Sequence, residues 1–394
     1  APAERLCPRP QPRELSPWPA PGRRSIPHYG AVPPVALPWV FHLDLDQFIA
    51  AVEILRRPEL AGKPIIVGGR GDPNERAVVA TASYEARAFG ARSGMPLRLA
   101  ARKVPDAVIL PVDHAAYEEA SQAVFTAVRA MGLTVEILGW DEAFIAIPAT
   151  DDPEAVAGEI RAVVLAATGL HCSIGLGDNR IRAKNATDFG KPRGTFRLTR
   201  DNWAEVMGHR PVIELWGVGT RIAARLGAHG IRTVADLAAA NVETLIAEFG
   251  PQMGTWYAAL GRGDGSAQVD DTPWVARSHS RETTYQRNLV TEQEIAEAIE
   301  VLTDQVLAGC AAEGRPIARV GLKVRYAPFF TVNRIKKLSA PTSERAEVLA
   351  GVMALVAGME PGREVRLLGV RGEMTPPPDA ADDPVERTPT RGRV

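Results

Sequence analysis

Two apolar runs in this chain carry acids where acids are least expected: FHLDLDQFIAAVE at residues 41–53 and ILGWDEAFI at residues 137–145. Ionised Asp and Glu are costly to take out of water, so carboxylates set in strand-like runs usually hold something positive. Asp44 and Asp46 alternate with Leu43 and Leu45, a spacing that puts both acids on one face of a strand. Asp141 and Glu142 are neighbours and point to opposite faces of an extended segment unless a turn intervenes. A cluster of such carboxylates is a hard-oxygen site suited to Mg²⁺ or Mn²⁺ rather than zinc, and its default chemistry is two-metal phosphoryl transfer.

The rest of the composition sets limits. With 394 residues, 45% of them apolar, the chain has material for several cores. The net charge of −1 announces no nucleic acid, so any DNA-binding surface must be local. Cys7, Cys172 and Cys310 are odd in number and widely spaced, which argues against a disulfide framework or a zinc site and fits a reducing cytoplasm. No apolar stretch approaches the roughly 18 residues that span a bilayer, and residues 1–38 read as a Pro-rich disordered leader rather than a signal peptide.

From Trp39 onward strands and helices alternate without a fixed repeat, as in an α/β or α+β catalytic domain. Beyond residue 192 the pattern becomes helical. ELWGVGTRIAARLGAHGIRTVADLAAA, residues 214–240, reads as helix, glycine turn and helix, with Gly217 and Gly219 in the turn. Glycines there let backbone N–H groups approach a phosphate at a helix N-terminus, as in a helix-hairpin-helix module. A Gly- and Asp-rich linker at residues 264–273 leads to a β-α-β-β-α-β pattern at 274–374, and the Pro-rich tail at 375–394 reads as disordered. Arg319, Lys323, Arg325, Arg334, Lys336 and Lys337 cluster in the middle of that unit with no acid among them. Lys323 and Arg325 alternate with Val320, Leu322 and Val324, giving a core side and a phosphate-facing side.

Taken together, FHLDLDQF, VVATASYEAR, GWDEAF, CSIGLGDNRIRAKNATDFGKPRG, the GVG turn and the basic C-terminal unit resemble the Y-family DNA polymerases, in particular the polymerase IV (DinB) branch. The resemblance implies an α+β right hand: a palm at 40–47 and 112–191, fingers at 48–111, a helical thumb at 192–263, and a little finger at 274–374. By motif position Asp44, Asp141 and Glu142 match the catalytic carboxylates, holding two Mg²⁺ ions with the Leu45 carbonyl, and Mn²⁺ as a substitute. Asp46 matches an acid of the same motif without a clear place among the metal ligands. Gln47, Phe48, Ile49, Thr81, Tyr84, Arg87 and Lys184 match the nucleotide-binding set, and Val78, Ala80 and Gly94 the small residues that roof the nascent base pair. The partners so implied are primer-template DNA and dNTPs, for a monomer in the cytoplasm.

Two departures from the family pattern carry consequences. Ile49 stands where an aromatic ring usually blocks a ribose 2′-hydroxyl, so rNTPs join the expected substrates. The tail at 376–394 has no aromatic residue of the kind a sliding-clamp peptide carries. A catalytically inactive polymerase-like scaffold and a metal-dependent nuclease are the competing readings. The first would have lost the acids, and the second would not need the YEAR and RAKNA blocks.

Overall fold

The computed structural model describes residues 38–377; the Pro-rich leader and all but the start of the tail lie outside the described residues. Trp39–Leu45 is the middle strand of a five-stranded sheet ordered Thr134–Ile137, Glu142–Ile147, Trp39–Leu45, Cys172–Gly177, Thr195–Leu198. Only the last pair is parallel. Both faces are covered, which is why Phe41, His42 and Leu43 are all buried and the strand is nearly continuously apolar. Helices His114–Arg129 and Pro153–Thr168 pack together on one side, and Arg180–Gly190 lies against the other.

That last helix sits unusually close. A Cβ on Gly175 would lie 2.1 Å from the Ala183 carbonyl oxygen, and one on Gly177 would lie 2.4 Å from the Ala183 nitrogen. The glycines of CSIGLG therefore set the depth at which the helix carrying Lys184 docks. Asn179 starts that helix by accepting the Arg182 N–H at 2.9 Å.

Beside this body, Ile65–Gly68 pairs antiparallel with Val79–Ala82 and parallel with Val108–Leu110. Helices Tyr84–Ala88 and Leu97–Lys103 complete the unit. Residues 200–261 form five helices around Trp203, Leu226, Leu237, Leu245 and Leu260. The expected helix before the glycine turn is only the 3₁₀ turn Val212–Glu214, since the next helix, Thr220–Ala228, begins directly after Gly219. Gly217 has φ +91°, and a Cβ there would meet the Trp256 ring at 2.6 Å, whereas the space beside Gly219 is open.

The C-terminal unit is the β-α-β-β-α-β fold, an all-antiparallel sheet ordered Phe330–Thr342, Ile317–Tyr326, Val365–Met374, Ser278–Leu289. Helices Glu292–Ala312 and Arg345–Val356 cover one face over a separate apolar core. The six basic residues do not share a face. Arg319 pairs in register with Lys337, but Lys336 lies opposite Val320 and Arg334 opposite Leu322, on the helix-covered side. Residues directly opposite in a sheet project the same way, so Arg319, Lys323, Arg325 and Lys337 make the open basic face without Arg334 and Lys336.

Candidate active site

At the end of the middle strand the register places Asp44 directly opposite Glu142 and, on its other side, opposite Ser173. Two carboxylates facing each other across neighbouring strands repel unless a cation intervenes. Asp141 precedes the Glu142 strand in a bend, and its backbone oxygen accepts the Leu45 N–H at 2.8 Å. A turn therefore does intervene between the two neighbours and brings Asp141 to the same end as Asp44.

The electrostatics follow from that crowding. Burial, with Asp44 and Glu142 as added negative neighbours, pushes the Asp141 carboxyl up to about 6. Burial also works against ionisation of Glu142, but the His42 ring and the Lys184 ammonium outweigh it and hold that carboxyl well below the usual range. His42 is lowered to about 4, first by burial and then by Lys184, so it is neutral at neutral pH. Its Nδ1 bonds the Thr187 hydroxyl at 2.8 Å, and its Nε2 is 3.7 Å from Glu142. Lys184 Nζ is bonded to Glu142 and lies 3.9 Å from Asp44, while Lys191 Nζ lies 2.9 Å from Asp44.

Asp46 does not join this group. The chain leaves the strand at Leu45, and Gln47 turns it with φ +44°. The buried Asp46 carboxylate then accepts the Ser173 hydroxyl (2.9 Å), the Tyr84 hydroxyl (3.1 Å) and the Arg193 N–H (2.8 Å). With three donors it is a structural anchor that ties the strand end to Tyr84, and the expectation of a shared face with Asp44 is corrected.

A cleft opens beside the acids. Asp44, Leu45 and Asp141 line it together with Gln47, Phe48 and Ile49. Ala80, Thr81, Tyr84 and Arg87 also line it, joined by Ser93 and Lys191. Ser83 caps the short helix Tyr84–Ala88, so Tyr84 and Arg87 share a face, with the Arg87 guanidinium 5.4 Å from the Tyr84 ring centre. The Gln47 side chain accepts the Tyr84 N–H at 2.7 Å and locks the two segments together. Val78 and Gly94 flank this group, through the Gly94 N–H to Val79 oxygen bond (2.8 Å) and a Val78–Pro96 bridge, but do not line the cleft itself.

Lys184, expected among the phosphate ligands, is not in the cleft wall. The sequence reading missed Lys191, seven residues on, which is in it. Its signal was present in the GKPRG run that closes the quoted block.

The donor set suits a hard divalent cation: three carboxylates and a backbone carbonyl at one strand end, with mutual repulsion that a cation would relieve. Among the described residues no three acids, His or Cys converge as a ready-made cation cage, because Asp44 is directed to Lys191 and Glu142 to Lys184. A bound cation would compete with these two ammonium groups for the same oxygens.

Comparison with known proteins gives this arrangement its class. The impB/mucB/samB family model matches residues 43–188, and the model of that family's C-terminal domain matches residues 276–378. "DNA polymerase IV 2" of Mycobacterium tuberculosis (strain ATCC 25618 / H37Rv) is 48% identical over 345 residues, covering 86% of this chain and 99% of that one. "DNA polymerase IV" of Desulfatibacillum aliphaticivorans is 35% identical, covering 84% of each. Among solved structures, a Y-family polymerase chimera of Dbh and Dpo4 is similar with TM-score 0.75 at 23% identity, covering 85% of this chain and 98% of that one. DinB from Sulfolobus solfataricus, with the same coverage, gives TM-score 0.57 at 23% identity. At such identities the structural likeness is one of fold. The chain belongs to the Y-family DNA polymerases, in the polymerase IV branch, and is a DNA-directed DNA polymerase. No helix among the described residues is long and apolar enough to cross a membrane.

Proposed function

We propose that this polymerase adds nucleotides to a primer 3′-hydroxyl by two-metal phosphoryl transfer, in error-prone translesion or repair synthesis, with weak discrimination between ribose and deoxyribose. The observation that carries it is the meeting of Asp44, Leu45 and Asp141 with Tyr84, Arg87 and Thr81 in one cleft, from segments far apart in sequence. Asp44, Asp141, Glu142 and the Leu45 carbonyl are the ligands for two Mg²⁺ ions, for which Mn²⁺ can substitute. Such ions lower the pKa of an attacking hydroxyl and neutralise the departing pyrophosphate. Arg87, Tyr84, Thr81 and Lys191 receive the triphosphate, and the two cations put charge where the transition state accumulates it. Lys184 instead steadies Glu142. Ala80, with Val78 and Gly94 behind it, gives a small roof that accepts distorted bases. Ile49 is the sugar gate: a branched aliphatic side chain rejects an added hydroxyl weakly, whereas a fixed ring in its path rejects it by collision.

In this reading the five-stranded body is the palm, residues 48–111 the fingers, 192–263 the thumb and 274–374 the little finger. The Gly217–Gly219 turn and the open basic face of Arg319, Lys323, Arg325 and Lys337 grip duplex phosphates, and the protein works as a monomer in the bacterial cytoplasm, at the nucleoid. Extension of one primer-template with dNTPs and separately with rNTPs, under Mg²⁺ and under Mn²⁺, tests the proposal. Extension by both nucleotide classes is expected. Cleavage without extension would overturn it, and strict exclusion of rNTPs would overturn the gate.

A further inference from the structure

Each acid at the sheet end is aimed by a partner except one. Asp44 meets Lys191, Glu142 meets Lys184, and Asp46 has three donors. Among the described residues, no residue other than Asp141 itself donates a hydrogen bond to the Asp141 carboxylate. Its direction must therefore come from the backbone of the bend before it. That bend is a hairpin turn closed by the Leu138 N–H to Glu142 oxygen bond at 3.0 Å, and Gly139 within it has no neighbour closer than 3.7 Å to a would-be Cβ. A glycine turn does not by itself hold a half-buried carboxylate in one direction.

The Leu45 N–H holds the Asp141 backbone oxygen from one side at 2.8 Å, and Trp140, between Gly139 and Asp141, adds a side-chain restraint from the other. Its indole N–H donates to Glu118 Oε2 at 2.7 Å. Its ring meets His114 edge-on, with centroids 5.6 Å apart, and Tyr117 at 6.4 Å. Residues 114, 117 and 118 lie on one face of helix His114–Arg129, so the indole spans that face with two ring contacts and a hydrogen bond. His114 and Glu118 are exposed, and Tyr117 is the fixed part of this anchor. Tyr117 is fully buried, and its hydroxyl donates at 2.7 Å to the buried Glu53, on the same helix as Phe48 and Ile49 of the cleft wall.

We propose that Trp140 is a positioning residue that clamps the hairpin turn onto helix His114–Arg129 and so fixes the Asp141 carboxylate for cation binding. The inference rests on the reading of Asp141 as a metal ligand. Outer supports of this kind typically change metal affinity by about 10- to 100-fold.

The test titrates Mn²⁺ by electron paramagnetic resonance into the full chain with primer-template and a non-hydrolysable dNTP analogue, beside Mg²⁺ dependence of single-turnover extension. Trp140→Ala should raise the half-saturating cation concentration about 10-fold or more while DNA affinity stays unchanged. Trp140→Phe keeps the ring and loses the N–H, so it should fall between wild type and Trp140→Ala, binding the cation a few-fold more weakly than wild type. Glu118→Leu removes the same bond from the other side and should match Trp140→Phe, and this pair carries the test if Trp140→Ala does not fold. Asp141→Ala in the same titration separates the two layers. If it leaves Mn²⁺ binding intact, the ligand assignment fails and the clamp with it. If it weakens binding but Trp140→Ala, or the Phe and Leu pair, titrates like wild type, the clamp alone is overturned. Lost extension at unchanged cation binding overturns it equally.

Discussion

The carboxylate end of the central sheet and the open face of the C-terminal sheet both line up charges across antiparallel strands, with opposite outcomes. In the C-terminal sheet the charges complement one another. Arg319 lies in register with Glu373 and bonds it, and Lys323 reaches Glu282 at 2.6 Å across the side-chain-free Gly369. In the central sheet Asp44 lies in register with Glu142, and Asp141 is added beside them. One region has satisfied its charges on an exposed surface, where such pairs are worth about 0–1 kcal/mol. The other has gathered like charges in a half-buried place and depends on Lys184, Lys191 or an incoming cation. Like charge gathered in this way marks where a fold gives up stability for function.

The contrast can be broken most directly at the acids. Asp44→Ala, Asp141→Ala or Glu142→Ala should each lower single-turnover nucleotide addition by about 10³-fold or more, with primer-template affinity little changed. Because Asp141→Ala removes a repelling charge, its thermal midpoint should equal or exceed that of wild type. A lower midpoint with retained extension would show the cluster to be structural.

Next in size is the cleft wall. Ile49→Phe should lower the rNTP-to-dNTP ratio of kcat/KM by about 10²-fold while dNTP use changes far less. An unchanged ratio would place the sugar gate elsewhere.

On the C-terminal face, replacing Arg319, Lys323, Arg325 and Lys337 together by Ala should weaken primer-template binding, most at low salt, and flatten the salt dependence by up to about four units of log–log slope. Arg334→Ala with Lys336→Ala, on the helix-covered side, should leave that slope near the wild-type value. Equal effects from the two sets would mean that the division of faces has no bearing on DNA.

The smallest effect sharpens the comparison further. Glu282→Gln and Glu373→Gln release Lys323 and Arg319 from their surface partners, so DNA binding at low salt should tighten by a few-fold, the scale of a surface ion pair. Fluorescence anisotropy across a salt series would read it, and weaker binding would count against phosphate contact by this face.

Local pattern was enough for much of the molecule. The alternation of elements, the β-α-β-β-α-β order of the C-terminal unit and the apolar side of strand Ile317–Tyr326 were legible because periodicity follows burial directly. Asp44, Asp141 and Glu142 stood out as acids set in apolar runs, whereas Tyr84 and Arg87 were singled out only by resemblance; all of these but Glu142 line the one cleft. The sequence could not say how the acids would be divided. Asp44 and Asp46 have equivalent spacing, and only the left-handed turn at Gln47 and three donors from distant segments take Asp46 out of the cluster.

The same limit applies to the cations. Lys184 and Lys191 are seven residues apart, nearly the same direction around a helix, so periodicity makes them equivalent. The difference comes from the close docking of their helix over Gly175 and Gly177, which leaves Lys184 on Glu142 and sends Lys191, just past the helix end, into the cleft. Likewise the basic run looked free of acids because its partners, Glu282 and Glu373, come from other strands of the sheet. What the chain alone determined was the chemistry available and the elements that carry it, since both depend on residue type and short-range spacing. Which charge meets which was decided by register and packing between segments far apart, because Coulomb and desolvation terms depend on distances that exist only once the chain has folded.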